Sequence, residues 1–174
     1  MPMLPWAAEE GKDVKSMLER SGARPVEWLR NPTWDDVKKT TEKKSWDIVH
    51  FAGHSHFDAS KEVGYLFFAD GKRASVVRID DFYVSLKRPQ FVYLSSCNSA
   101  LDACAFDLIK QSKGSVLSFF YPVQDGKAAK FAQTFYEQFV KKRLSMEYAF
   151  KETRFLMKKH DPDDKIWASP ILII

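Results

Sequence analysis

The sequence predicts an α/β sandwich whose central sheet is mostly parallel. Short apolar runs of strand length recur at residues 46–53, 91–94 and 116–121. Runs of that kind, bounded by Ser, Pro, Gly and Asn, read as buried strands. Segments of helical periodicity, ten or more residues long, separate the core strands, and parallel pairing needs crossovers of that length.

In chain order, residues 7–20 set Val14, Met17 and Leu18 on one helical face, with Ser21-Gly22 as the stop. Residues 25–29 are expected to form a short strand. A second helix covers 34–44, with Thr33 as its N-cap and Asp35 and Asp36 in the first turn. Residues 46–53 form the next strand, which ends in Gly53-His54-Ser55-His56. Residues 64–69 and 75–78 flank Asp70-Gly71, a hairpin signal, and 79–86 form a short helix with Asp80 as its cap. The strand at 91–94 follows, then a helix over about 100–111 and a strand at 116–121. Two long helices, 126–143 and 145–160, precede a last apolar strand at 170–174.

The composition narrows the function. At 174 residues the chain is expected to be one domain with one sizeable core. No run reaches the eighteen or so apolar residues of a membrane span, and MPMLPWAAEEGK lacks the pattern of a signal peptide. The only cysteines, Cys97 and Cys104, stand seven positions apart and make no disulfide framework, which points to a reducing cytoplasm. A net charge of +4 with lysines scattered among acids gives no basic patch of nucleic-acid-binding type.

Two strands thus end in a thiol and an imidazole. If they are parallel neighbours, Cys97 and His54 share one edge of the sheet, outside the carboxyl ends of the strands where sites are built. A histidine there can take the thiol proton, and the thiolate can attack a carbonyl. Backbone N–H groups at Ser55 and Cys97 would receive the oxyanion. The competing reading is that Cys97 is a small buried hydrophobe, as free cysteines usually are. His54, His56 and Asp58 form H-x-H-x-D, the opening of a zinc motif, but the further ligands such a site needs are not supplied, so no metal or cofactor is expected. His50, within an apolar strand, reads as a core histidine, and Cys104 as core packing. Asp125 follows a strand and either caps the next helix or provides a carboxylate for a basic side chain.

WDIVHFAGHSHFD, FVYLSSCNSA 43 residues on, then YPVQD, FAQTFYEQF and the closing WASPILII together resemble the CHAT domain. These motifs are specific in combination and weak singly, and the resemblance runs from about Leu4 to the C-terminus. CHAT domains are caspase-like cysteine peptidases related to separase. The resemblance implies a caspase-like three-layer α/β/α sandwich, with His54 as the catalytic histidine and Cys97 as the nucleophile. Ser55 takes the place of the family's usual glycine, keeping the N–H but not the backbone freedom. Asp125 matches an aspartate that selects Arg or Lys before the scissile bond, and Tyr121 replaces the usual Trp. The family's first central strand precedes the LPWAAEE helix and is expected to be missing here, supplied by a longer polypeptide or another chain. The implied activity is cleavage of a protein or peptide substrate, under a regulatory protein partner, in bacterial defence or cell death. The alternative is a catalytically silent scaffold or sensor module of the same family.

Overall fold

The computed structural model describes residues 4–71, 73–97 and 114–174. The helix expected over 100–111, and Cys104 with it, lie outside the described residues. In order the elements are α1 (Pro5–Arg20), α2 (Trp34–Lys43), β1 (Ile48–Ala52), β2 (Ser55–Asp58), β3 (Val63–Asp70), β4 (Arg73–Arg78), α3 (Ile79–Ser85), β5 (Phe91–Ser95) and β6 (Ser115–Phe119). They continue with α4 (Asp125–Tyr136), a π-helical turn (Glu137–Lys141), α5 (Met146–His160), a 3₁₀ turn (Lys165–Trp167) and β7 (Pro170–Ile173).

These elements fall into two compact units, one built from residues 29–122 and 171–174, the other from 3–28 and 123–170. The first unit holds the sheets. Its larger sheet has the order β1-β5-β6-β7. β1 runs parallel to β5, from Ile48 opposite Phe91 to Ala52 opposite Ser95. β5 runs parallel to β6, from Phe91 opposite Ser115 to Leu94 opposite Ser118. The mixed α/β class and the mostly parallel sheet are thus as expected. β5 is central, and all five of its residues are buried, which suits its unbroken apolar run.

Strand alternation divides those residues between two faces. Val92 and Leu94, with Val116 of β6, join a core completed by Val37, Leu66, Phe68, Val77, Ile79, Phe82, Tyr83 and Leu86. Burying each such side chain is worth about 1.5–3 kcal/mol. On the other face Tyr93 is ringed by His50, Phe91 and Phe119, with centroids 4.6, 6.4 and 6.3 Å away.

A smaller antiparallel sheet has the order β2-β3-β4. The expected hairpin is β3–β4, with Asp70 opposite Arg73 at its end and Gly71 in the turn at φ +56°. β2 was not expected as a strand. It pairs with β3 from Ser55 opposite Leu66 to Asp58 opposite Val63.

The ends of α2 and α3 show how local chemistry sets boundaries. Thr33 caps α2 as expected. Its hydroxyl accepts the Asp36 N–H, and the Asp36 carboxylate accepts the Thr33 N–H at 3.0 Å. The Thr33 hydroxyl, which also donates to that carboxylate at 2.7 Å, and then the Thr33 N–H hold the Asp36 carboxyl below the usual carboxylate range. Asp80 does not cap α3. Arg78 occupies the cap position, and Asp80, the second helical residue, accepts from its Nη2 and Nε at 2.6 and 3.1 Å.

The second unit is helical. α1 packs on α4, and α4 on α5. Val14 and Met17 are buried as expected, together with Glu10 on the same helix. α4 buries Phe131, Phe135 and Tyr136. Burial pushes the Tyr136 phenol upward, and the nearby Glu10 carboxylate adds to the shift. Residues 25–29 are not a strand. Pro25 lacks an N–H to give a ladder, and Trp28 instead lays its indole against α1, where a Cβ on Gly11 would stand 2.6 Å from its Nε1. Asp125 is not the N-cap of α4 either. Gln124 holds that place, and Asp125 is the first helical residue. Ser145 caps α5, its hydroxyl accepting the Tyr148 N–H. Among the described residues no helix is long and apolar enough to cross a membrane.

Candidate active site

β1 and β5 are adjacent parallel strands, so their carboxyl ends open on the same edge of the sheet. The last paired residues are Ala52 and Ser95. The Gly53 N–H donates to the Ser95 carbonyl at 3.1 Å, carrying the ladder one step further. His54 and Cys97 each stand two residues past that final pair. The thiol and imidazole thus leave the sheet at the same level, from neighbouring strands. Both residues are half-buried.

Two features fix the exit from β1. Gly53 lies close under the ring of Phe51, which would have to shift for a Cβ that would stand 2.7 Å from it. Immediately afterwards the chain is captured by the smaller sheet, where the Phe67 N–H donates to the His54 carbonyl at 3.1 Å. Residue types alternate along β2, with Ser55 and Phe57 on one face and His56 and Asp58 on the other.

The same ladder orients Ser55. In an antiparallel pair, hydrogen-bonded and non-hydrogen-bonded positions alternate. The bond at His54–Phe67 makes Ser55–Leu66 a non-hydrogen-bonded position. The Ser55 N–H therefore points away from β3, toward the open edge of β2. On that same residue the hydroxyl donates to the Cys97 carbonyl. Two bonds thus span the exits of β1 and β5: Gly53 to Ser95, and Ser55 to Cys97. His54 lies between the two donors in sequence.

The other candidates lie elsewhere. His50 is inside β1, its ring tilted at 36° against that of Tyr93. His56 is exposed. Asp58 is committed to the turn after β2. It accepts from the Ser60 hydroxyl at 2.6 Å and N–H at 3.0 Å, and pairs with Lys61 at 3.1 Å. The Ser60 hydroxyl, then Lys61, bring its carboxyl down to about 2. Among the described residues no three His, Cys, Asp or Glu side chains are grouped as metal ligands. Asp125 belongs to the helical unit, where its carboxylate accepts the Trp6 N–H at 2.9 Å. That N–H is one of the first donors of α1, which no intrahelical carbonyl can satisfy.

Sequence reasoning missed the hydroxyl contact of Ser55 and the capping contact of Asp125. Both join residues remote in sequence, 42 and 119 positions apart. The one available signal for the first was the replacement of a glycine by a residue with a donor.

Compared with family models, the chain matches that of the CHAT domain over residues 1–173. No curated protein gives a significant match.

Proposed function

The chain belongs to the CHAT-domain family, caspase-like in fold, and from that premise we propose that it is a cysteine endopeptidase working through a Cys97–His54 dyad. The observation that carries this reading is the common level of the two residues, each two positions past the last pair of adjacent parallel strands. His54 takes the proton of Cys97, and the thiolate attacks the peptide carbonyl carbon. The oxyanion is received by the N–H groups of Ser55 and Cys97. His54 then returns the proton to the leaving amine, which departs and leaves a thioester. Water attacks the thioester, giving its proton to His54, and the acid and free thiol are regenerated.

Asp125 is assigned the choice of a basic residue before the scissile bond. Trp6 engages one of its carboxylate oxygens, and the reading gives the other to the substrate cation. Control by a protein partner or sensor segment and a role in bacterial defence or cell death rest on the family resemblance alone, and action in the cytoplasm on the cysteine usage.

The test is cleavage of fluorogenic peptides that vary in the residue before the scissile bond, with Cys97→Ala and His54→Ala as controls. Cleavage after Arg or Lys that both variants abolish, and Asp125→Ala weakens, is the expected result. Cleavage after other residues keeps the dyad and removes Asp125 from recognition. A Cys97 whose alkylation rate is that of an ordinary thiol, unchanged by His54→Ala, would sink the dyad and leave a silent scaffold.

A further inference from the structure

The hydroxyl of Ser55 has a task separate from that of its N–H. We infer that Ser55 is a positioning residue, whose side chain holds the backbone of Cys97 so that the thiol stays at the level of His54. This inference rests on the dyad reading above and adds to it a residue acting through the nucleophile.

The argument starts from what lies past the end of the sheet. β5 is paired to β1 as far as Ser95 and to β6 as far as Leu94, where the two ladders stop. Cys97 stands beyond both. Its peptide carbonyl is fixed from the β1 side by the Ser55 hydroxyl. Holding that carbonyl restrains the backbone at the Cys97 Cα, and with it the Cα–Cβ bond from which the thiol projects. Ser55 is itself held, because β2 is paired to β3 from this residue onward and the carbonyl just before it is bonded to Phe67. The tie therefore runs from a paired strand to a residue past the end of both ladders.

The chemistry of a hydroxyl limits what else Ser55 can do. It has one proton to donate, and the Cys97 carbonyl receives it. Its side chain has no second donor for an oxyanion, so any contribution to that charge comes from the N–H on the open edge of β2. A glycine here would keep the N–H and lose the tie. A nucleophile displaced by as little as 1 Å can lose on the order of 100-fold in rate, so an anchor at this point bears directly on turnover.

The experiment compares wild-type protein with Ser55→Ala, Ser55→Gly and Ser55→Thr, which retains the hydroxyl. Two readouts are taken: the pH profile of Cys97 alkylation by iodoacetamide, and kcat against KM for the best peptide. Loosening the tie separates thiol from imidazole, so Ser55→Ala and Ser55→Gly are expected to shift the alkylation profile to higher pH. They should also lower kcat about 10–100-fold with KM nearly unchanged. Ser55→Thr should restore both. A merely structural serine would change the melting temperature and leave the profile where it was. An unshifted profile in Ser55→Ala, in protein whose profile His54→Ala does shift, overturns the positioning role and spares the dyad. A profile that neither variant shifts overturns both. Faster exchange of the backbone amides next to Cys97 in Ser55→Ala, reversed in Ser55→Thr, supports the tie on grounds independent of turnover.

Discussion

Single residues here are governed by which donors reach them. Asp58 is the clearest case, with its carboxyl at about 2 against an ordinary 3.8. A carboxyl lowered in the folded state stabilises the protein fully above its unfolded value, and loses that contribution as pH falls through the folded value. Asp58→Asn is therefore expected to loosen the turn after β2 at neutral pH, seen as faster amide exchange at Ser60 and Lys61. The difference from wild type should shrink as pH drops from about 4 toward 2. A difference that persists unchanged at low pH would show that charge is not what holds the turn. The same scale explains which caps could be read in advance. Thr33 was legible because Thr-Trp-Asp-Asp places an acceptor and its reciprocal carboxylate three apart. Asp80 and Asp125 resemble caps, but the cap is the residue with non-helical φ and ψ just before the helix, and in both cases an earlier residue takes that geometry. Composition does not decide between neighbours; backbone angles do.

At the scale of elements, close backbone approaches decide where strands begin. Gly114 precedes β6, and a Cβ on it would lie 2.4 Å from the Pro89 carbonyl oxygen and 3.0 Å from that of Gln90. The neighbouring Ser115 N–H donates to the same Gln90 carbonyl at 2.8 Å. Gly114→Ala is expected to push β6 away from β5 at a cost of about 1–3 kcal/mol, read from urea unfolding. Gly53→Ala should cost less, because the atom it meets is the end of the Phe51 side chain. An equal loss at both sites would refute the distinction between a backbone and a side-chain obstacle. The long apolar strands were legible in the sequence, as was the hairpin around Gly71. β2 was not, since four residues with a single large apolar side chain, Phe57, give too little alternation to tell a strand from a loop. Residues 25–29 misled in the opposite direction. The indole of Trp28 packs on α1, and apolar character alone does not say against what a segment packs.

For the whole molecule, the order of helices and strands was enough to give a mostly parallel sheet, because crossovers of helical length leave few alternatives. The separation of the hairpin into a second sheet was not readable, since it depends on β2 pairing with β3 and not with the larger sheet. The division into two units was hidden for a related reason: each is assembled from stretches far apart in the chain.

The parallel pairing that brings the thiol and the imidazole to one edge also makes them late arrivals. β3 and β4 meet across a tight turn, whereas β1 waits for β5, with Ile48 opposite Phe91 across 43 intervening steps of chain. Local hairpins close in microseconds, but pairings of long sequence separation carry a loop-closure cost before any contact rewards it, and they set the slow phase of refolding. Time-resolved refolding with pulses of iodoacetamide should show Cys97 behaving as an ordinary thiol while the hairpin is already protected from amide exchange. Enhanced reactivity should emerge only in the last kinetic phase, and its appearance alongside hairpin protection would contradict this order. On the dyad reading proposed above, a chain of this design carries no working nucleophile through the interval in which it is still unfolded and exposed to itself and its neighbours.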